Sequence, residues 1–187
     1  ADLARVAKRV AVTAFGVAGQ SCISVQRVYV QRRWYDDFVD TLVSHAQGYK
    51  VGHPLDEDAH IGSMIDEANA VRIEGWVREA AARGANVACG GLRDGSRFAP
   101  TVVTACPRDA DLSAREAFAP VVVVEPYDEF DEALAAVNNS RYGLQAGFFV
   151  REWELIRRAW EKVQAGAVVV GDVPSFRVDH MPYGGTK

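Results

Sequence analysis

The sequence lacks the features that would place it in a membrane or on a nucleic acid. It has 187 residues, 49% of them hydrophobic, but no unbroken apolar run of the roughly 18 residues that a transmembrane helix needs. The formal net charge is −4, and Lys and Arg are scattered along the chain. Nucleic-acid-binding domains instead concentrate positive charge. We therefore expect no nucleic-acid partner and no membrane partner.

Cysteine is also scarce, and its spacing excludes two further classes of protein. The three cysteines are Cys22, Cys89 and Cys106, an odd number set too far apart for a disulfide framework or a paired zinc site. We expect a cytoplasmic protein without a metal, because free cysteines are typical of a reducing compartment. The glycine-rich phrase G-x-G-x-x-G of dinucleotide-binding domains is missing as well.

What the sequence does contain is an alternation of helical and extended patterns. Apolar residues at helical spacing predict helices within 3–14, 38–46, 73–80, 130–137 and 153–163. Extended apolar runs predict strands within 23–30, 86–91, 99–106, 120–127, 146–150 and 165–172. The run PVVVVEPY at 120–127 is typical of a strand buried on both faces. We predict an α/β fold with an open, mostly parallel sheet covered by helices.

Cys22 lies in the phrase GQSCISVQRVYV, residues 19–30, between a helix and a strand. The preceding helix directs its C-terminal end toward this phrase, and that end disfavours a thiolate. A reactive Cys22 would therefore take its activation from a general base or from backbone N–H groups of the turn. The small residues Gly19 and Ser21 leave room for a substrate beside the sulfur. Chemistry alone favours the alternative of a buried structural cysteine here, because free cysteines are usually core residues.

Three phrases resemble the aldehyde dehydrogenase family. FGVAGQSC, ending at Cys22, is similar to the segment that carries the family's catalytic cysteine. REAFAP, residues 115–120, with the later phrase NNSRYGL, is similar to the family's E-x-F-G-P segment and the N-x-S-x-Y-G-L phrase after it. DVPSFRVDHMPYGGTK, residues 172–187, is similar to a segment near the end of the catalytic domain. The phrases occur in the family's order, and together they span most of the chain, from residue 15 to residue 187.

The resemblance implies roles for individual residues. Cys22 would be the nucleophile, forming first a thiohemiacetal and then a thioester, and its backbone N–H would be half of an oxyanion hole. Glu116 would bind the ribose of the nicotinamide, and Phe118 would pack near the nicotinamide ring of NAD or NADP. The family's usual Gly is Ala119 in this sequence, a departure that changes only local backbone freedom.

Arg177 is a candidate for binding the substrate. Its segment borders the substrate tunnel in the family, and an Arg there can hold an anionic group with two hydrogen bonds. The wording resembles the branches that oxidise lactaldehyde, phosphonoacetaldehyde and semialdehydes, which implies an aldehyde substrate and makes an anionic aldehyde a candidate. The alternative is a surface ion pair of Arg177 with Asp179 or Asp172. Ser21 weakens the case for a phosphorylated substrate, because several branches for anionic aldehydes carry Arg at that position.

The resemblance also implies what the chain does not supply. We interpret residues 1–187 as a catalytic domain truncated at both ends, with the Rossmann-like cofactor domain, the general-base Glu and the oxyanion Asn outside it. The residues that distinguish NAD from NADP would lie there too. We expect a homo-oligomer that is inactive as an isolated piece. Two alternatives remain open: an inert module for binding or assembly, and a cysteine hydrolase with His180 as its base.

Overall fold

The computed structural model describes residues 2–187, which contain six α-helices and eight short strands joined by turns and loops. The helices are α1 Leu3–Phe15, α2 Tyr35–Gln47, α3 Glu67–Ala82, α4 Asp111–Ala114, α5 Phe130–Asn138 and α6 Trp153–Lys162. The strands are β1 Arg27–Gln31, β2 Asn86–Cys89, β3 Arg93–Asp94, β4 Arg97–Phe98, β5 Thr101–Thr104, β6 Val121–Tyr127, β7 Gln145–Phe148 and β8 Ala167–Val170.

The main sheet has the order β1-β6-β5-β2. Strands β1, β6 and β5 run parallel, and β2 pairs antiparallel to β5 at the edge. Strands β7 and β8 form a separate parallel pair, and β3 and β4 form a small hairpin. The predicted α/β class with a mostly parallel sheet is confirmed, but the parallel strands are divided between two sheets.

Burial on both faces of β6 explains its continuous apolar sequence. Val121 and Val123 face a core that α3 helps to form, whereas Val122 and Val124 face a core formed with α1 and α2. Successive residues of a strand point to opposite faces, so all four valines, 121–124, are buried and apolar. A third, smaller core lies where α5 and α6 cover β7 and β8.

The start of α1 follows its sequence closely. Asp2 precedes the helix, and its carboxylate accepts a hydrogen bond from the backbone N–H of Arg5, which is the expected use of an Asp at an N-cap. Ala7, Val10, Ala11 and Ala14 then line its buried face. One of its polar residues, Arg9, reaches across the fold and forms a bidentate ion pair with Asp172 at 2.8 and 2.9 Å.

Two details of the sequence-based prediction are wrong. The segment predicted as a strand from Ile23 becomes one only at Arg27, because Ser21 and Ser24 close a turn first. The helical spacing of Trp153 and Trp160 predicts that both lie in the core, but 74% and 73% of their surfaces are exposed. The buried stripe of α6 centres on Ala159 instead, because a small side chain lets the helix approach the narrow β7–β8 sheet.

None of the helices in residues 2–187 combines the length and the apolar character that crossing a bilayer requires.

Candidate active site

A cleft of about 380 Å³ lies at the amino ends of the parallel strands. Its walls come from the segments that lead into β1, β6, β7 and β8, together with residues 172–187, which we call the tail. The predicted residues Cys22, Glu116 and Phe118 all line this cleft. Arg177 does not line it. The structure therefore brings together three of the four residues predicted from the sequence, although Cys22 is far in the chain from Glu116 and Phe118.

Two strained turns bring the cleft walls together. After α1 the chain turns through Val17, Ala18 and Gly19, with φ values of 54°, 53° and 66°. Phe118 in the opposite wall also has a positive φ, 51°. Left-handed backbone at a non-glycine residue costs about 1–3 kcal/mol and clusters at functional sites. Gly16 and Gly19 predict the end of α1, because glycine commonly follows the last turn of a helix, whereas Val17 and Ala18 carry much of the reversal.

Gly19 fixes how closely these turns approach. A Cβ at Gly19 would lie 2.0 Å from the carbonyl oxygen of Ala119, far inside any real contact. Gly19 therefore serves both the positive φ and the close packing. Ala119 itself is buried and its φ is not positive, so its methyl group is accommodated where the family usually has Gly.

Cys22 is exposed at the mouth of the cleft. Its Sγ lies 2.6 Å from Tyr183 Oη, a contact that brings together residues 161 positions apart. The turn carrying Cys22 is anchored to α1, because the Ser24 hydroxyl donates a 2.9 Å hydrogen bond to the carbonyl of Thr13. The Ser175 hydroxyl donates to the carbonyl of Ile23, which ties the tail of the chain to the same turn.

Gln26 holds the loop that contains Glu116 and Phe118. Its Nε2 donates to the carbonyls of Leu112 and Arg115 at 3.1 and 2.6 Å, and its Oε1 accepts from the N–H of Ala117 at 2.9 Å. The side chain thus positions the opposite wall from a point four residues after the cysteine. Sequence reasoning missed Gln26, because a Gln at the start of a strand gives no signal of a long-range partner.

Glu116 and Phe118 present their side chains to the solvent side of this wall. Glu116 is exposed, and 40% of the Phe118 surface is exposed. The backbone N–H of Glu116 donates a long hydrogen bond of 3.4 Å to Tyr142 Oη. A free carboxylate and a free aromatic face on one wall are the groups that a sugar hydroxyl and a flat ring could contact.

Arg177 reaches the site through Tyr183. Its guanidinium carbon lies 4.8 Å from the centroid of the Tyr183 ring, within the distance of a cation–π contact. Its Nη1 is 3.4 Å from Asp179 Oδ1, so the surface pair with Asp179 is present. The alternative pair with Asp172 is not formed, because Asp172 is taken by Arg9.

The contact with the sulfur changes the pKa of the neighbouring tyrosine. The pKa of the Tyr183 hydroxyl is raised, chiefly because of its hydrogen bond to Cys22, while Arg177 lowers it slightly. Tyr183 was missed by sequence reasoning as well. His180, the base required by a cysteine hydrolase, is exposed and does not line the cleft. Within residues 2–187, no group of three His, Cys, Asp or Glu residues could hold a metal ion.

Comparison with known proteins identifies the family of the chain. The model of the aldehyde dehydrogenase family matches residues 1–187. The 3-sulfolactaldehyde dehydrogenase of Priestia aryabhattai is 43% identical over 187 residues, which is 100% of this chain and 39% of that protein. The chain thus spans about two fifths of the length of such relatives.

Two solved structures share the fold over nearly the whole chain. Aldehyde dehydrogenase 21 from Physcomitrella patens, in complex with the reaction product succinate, has a TM-score of 0.94 and 40% identity. The match covers 97% of this chain and 38% of that one. Glyceraldehyde-3-phosphate dehydrogenase GapN from Methanocaldococcus jannaschii, complexed with NADP, has a TM-score of 0.95 and 34% identity, covering 100% and 41%.

Replacing Gly19 with Ala tests the close approach of the two turns. We expect Gly19→Ala to lower the free energy of unfolding by at least about 2 kcal/mol, since a Cβ there meets the Ala119 carbonyl and φ is positive. Urea unfolding of the 187-residue chain measures this. Gly16→Ala is the matched control, because a Cβ at Gly16 meets nothing within 4 Å. Equal stability of the two variants would contradict the assigned role of Gly19.

Proposed function

The chain belongs to the aldehyde dehydrogenase family, and we propose that it forms the catalytic domain of an NAD(P)-dependent enzyme that oxidises an aldehyde to a carboxylic acid. The observation that supports this most strongly is that Cys22, Glu116 and Phe118 line one cleft, although they come from two separate segments of the chain. The exposed sulfur lies opposite the exposed carboxylate and ring.

Cys22 is the proposed nucleophile. Its thiolate attacks the carbonyl carbon of the aldehyde, an S–C bond forms, and the π electrons of the C=O bond move to oxygen. The backbone N–H of Cys22 donates to this developing oxyanion. Loss of a hydride from the carbon gives a thioester, and water then breaks the S–C bond to release the acid. Overall, aldehyde, water and NAD(P)⁺ give acid, NAD(P)H and a proton.

Glu116 and Phe118 are the proposed contacts of the dinucleotide, which when bound accepts the hydride. The Glu116 carboxylate accepts hydrogen bonds from ribose hydroxyls, and the Phe118 ring packs beside the nicotinamide. Gln26 keeps both in place by bonding to the backbone on either side of Glu116, at Arg115 and Ala117. We infer that the general base, the second oxyanion donor and the rest of the dinucleotide site lie outside these 187 residues. The choice between NAD and NADP lies there as well.

We further propose that the substrate is an anionic aldehyde and that Arg177 binds its charged end. The names of the relatives support this: 3-sulfolactaldehyde carries a sulfonate, succinate a second carboxylate, and glyceraldehyde-3-phosphate a phosphate. Arg177 is exposed, and besides its cation–π contact with Tyr183 it makes a long ion pair of 3.4 Å with Asp179. Its guanidinium can therefore exchange this contact for a stronger, bidentate one with a substrate anion.

The two alternatives from the sequence fit the geometry less well. A cysteine hydrolase needs a base at the sulfur, but the group at the sulfur is the hydroxyl of Tyr183, which is a hydrogen-bond donor at neutral pH. An inert binding or assembly module gives no reason for an exposed cysteine beside two strained turns. Backbone strain of this kind is retained where a site requires it.

We propose a cytoplasmic homo-oligomer. The three cysteines are all free, as expected in a reducing compartment. Within residues 2–187, β7 and β8 pair only with each other, so each leaves one edge without a partner. Val170 at the end of β8 is 45% exposed. Unpaired edges and exposed apolar residues favour association with another chain.

Cofactor reduction tests the proposed activity. We expect the 187-residue chain alone to reduce neither NAD⁺ nor NADP⁺ with any aldehyde. The same residues should support reduction when they replace the matched 39% of the Priestia 3-sulfolactaldehyde dehydrogenase. Cys22→Ala in this graft should abolish the activity, and Cys89→Ala should not. A graft that folds and remains active without Cys22 would refute the proposed nucleophile.

Charge selectivity tests Arg177. In the active graft, Arg177→Met should lower kcat/KM for 3-sulfolactaldehyde about tenfold or more, since a hydrogen bond between two charged groups is lost. The value for propanal, which has no charge, should change less than twofold. Arg78→Met is the control, because Arg78 pairs with Glu74 on the surface of α3. Equal losses for both aldehydes would argue against anion binding by Arg177.

Sedimentation velocity tests the association of chains. At low micromolar concentration we expect the 187-residue chain to sediment as a dimer or larger species. Val170→Lys on the β8 edge should favour the monomer, because charged residues on an edge strand oppose pairing. Val178→Lys, which changes an exposed residue outside the sheets, is the control. A strictly monomeric chain would contradict the proposal.

A further inference from the structure

The tail of the chain carries Tyr183 to the sulfur and is fixed on both sides of it. Upstream, Ser175 bonds to the carbonyl of Ile23. Downstream, the N–H of Thr186 donates to the carbonyl of Gly143 at 3.1 Å. Lys187 Nζ donates to the carbonyls of Asn138 and Ser140 at 2.6 and 3.0 Å. The hydroxyl is therefore held at Cys22 by contacts that do not involve the cysteine.

Close packing of Gly166 against Gly184 fixes the position of the tail backbone. A Cβ at Gly166 would lie 1.7 Å from the carbonyl oxygen of Gly184, so the tail backbone rests directly on the segment before β8. Tyr183 is the residue next to this contact. Any side chain at position 166 would lift the tail and carry the hydroxyl away from the sulfur.

The chemistry of the pair gives the hydrogen bond a direction. A phenol is a strong donor, and a thiolate is an acceptor without a proton to give. Hydrogen bonds to ionised acceptors are about twice as strong as those between neutral groups. Because the pKa of Tyr183 is raised, the hydroxyl keeps its proton over the range in which a thiol ionises.

Other groups around the cleft leave this position to Tyr183. The charged side chains that line the cleft are Arg27, Arg115, Glu116 and Lys187, and Arg177 lies behind the Tyr183 ring. Within residues 2–187, Tyr183 is the one residue that forms a hydrogen bond with the Cys22 side chain. The C-terminal end of α1, which precedes the turn, disfavours a thiolate. A donor is therefore needed at the sulfur, and the tail supplies it.

We propose that Tyr183 is a positioning residue for Cys22: the Tyr183 hydroxyl donates a hydrogen bond to Sγ, keeps the sulfur facing the cleft and stabilises the thiolate when it forms. Tyr183 keeps its proton throughout, so no proton transfer accompanies attack. When the S–C bond forms, the sulfur lone pair is used and the hydroxyl is released. The importance of this contact for aldehyde oxidation rests on the proposed function, but the contact itself does not.

The test is the pH dependence of Cys22 alkylation. The 187-residue chain reacts with iodoacetamide between pH 5 and pH 10, and trypsin releases residues 10–27, which contain Cys22 and no other cysteine. Mass spectrometry of that peptide gives the rate. In Tyr183→Phe we expect the pH of half-maximal rate to rise by about one unit, because a hydrogen bond to the thiolate is lost. At pH 7 this is a loss of up to about tenfold in rate.

Two further variants make the result specific. Tyr142→Phe removes the hydroxyl of a tyrosine that lines the cleft but contacts the N–H of Glu116 rather than the sulfur, and should leave the midpoint unchanged. Gly166→Ala leaves Tyr183 intact but displaces the tail, and should raise the midpoint as Tyr183→Phe does. Circular dichroism and the melting temperature verify that each variant is folded.

The proposal is overturned if folded Tyr183→Phe has the midpoint of the unmodified chain, or if Tyr142→Phe shifts it equally. This outcome is distinct from failure of the proposed function. A graft that oxidises aldehydes without Cys22 would refute the nucleophile, whatever the midpoint of alkylation. A midpoint that does not move, in a graft that depends on Cys22, would refute the positioning role alone.

Discussion

The close contact between the turn after α1 and the loop before β6 is the constraint on which the site depends. Gly19 has no side chain, and the carbonyl of Ala119 occupies the space where a Cβ would stand. Because both turns contain left-handed residues, neither has an unstrained alternative of the same shape. The packed cores on both faces of β6 supply the free energy that keeps this strain in place. Cys22 and Phe118 are consequently held at a fixed separation by backbone.

This constraint also explains the position of the cleft. In open α/β sheets, ligands usually bind beyond the carboxyl ends of the strands. Here the cleft lies at the amino ends, because the two turns that meet there lead into β1 and β6. Gln26, at the entrance to β1, bonds across to the loop before β6. The geometry of the site is thus made by the segments before the strands rather than after them.

Local patterns were sufficient for the elements and for part of the site. The apolar run of β6, the N-cap of α1 and the helical stripes of α2 and α3 follow from short-range rules, and the structure agrees with them. Cys22, Glu116 and Phe118 were found because motif wording resembles a family, not because the residues themselves indicate a cleft. The family is confirmed by the comparisons. The roles of these residues stay predictions.

The remaining features depend on contacts between distant segments. Nothing near Tyr183 in the sequence indicates a cysteine 161 positions away, and a Gln at the entrance to a strand does not indicate a clamp. The exposure of Trp153 and Trp160 follows from the narrow sheet on which α6 packs, which the periodicity of the helix alone cannot specify. The antiparallel direction of β2 and the separation of β7 and β8 are likewise decided by the whole fold.

The length of chain between Cys22 and Tyr183 has a consequence during synthesis. A ribosome that adds about 5–20 residues per second reaches Tyr183 roughly 10–30 s after it has added Cys22. For that interval the Cys22 thiol of the nascent protein lacks the tyrosine hydroxyl that later contacts it.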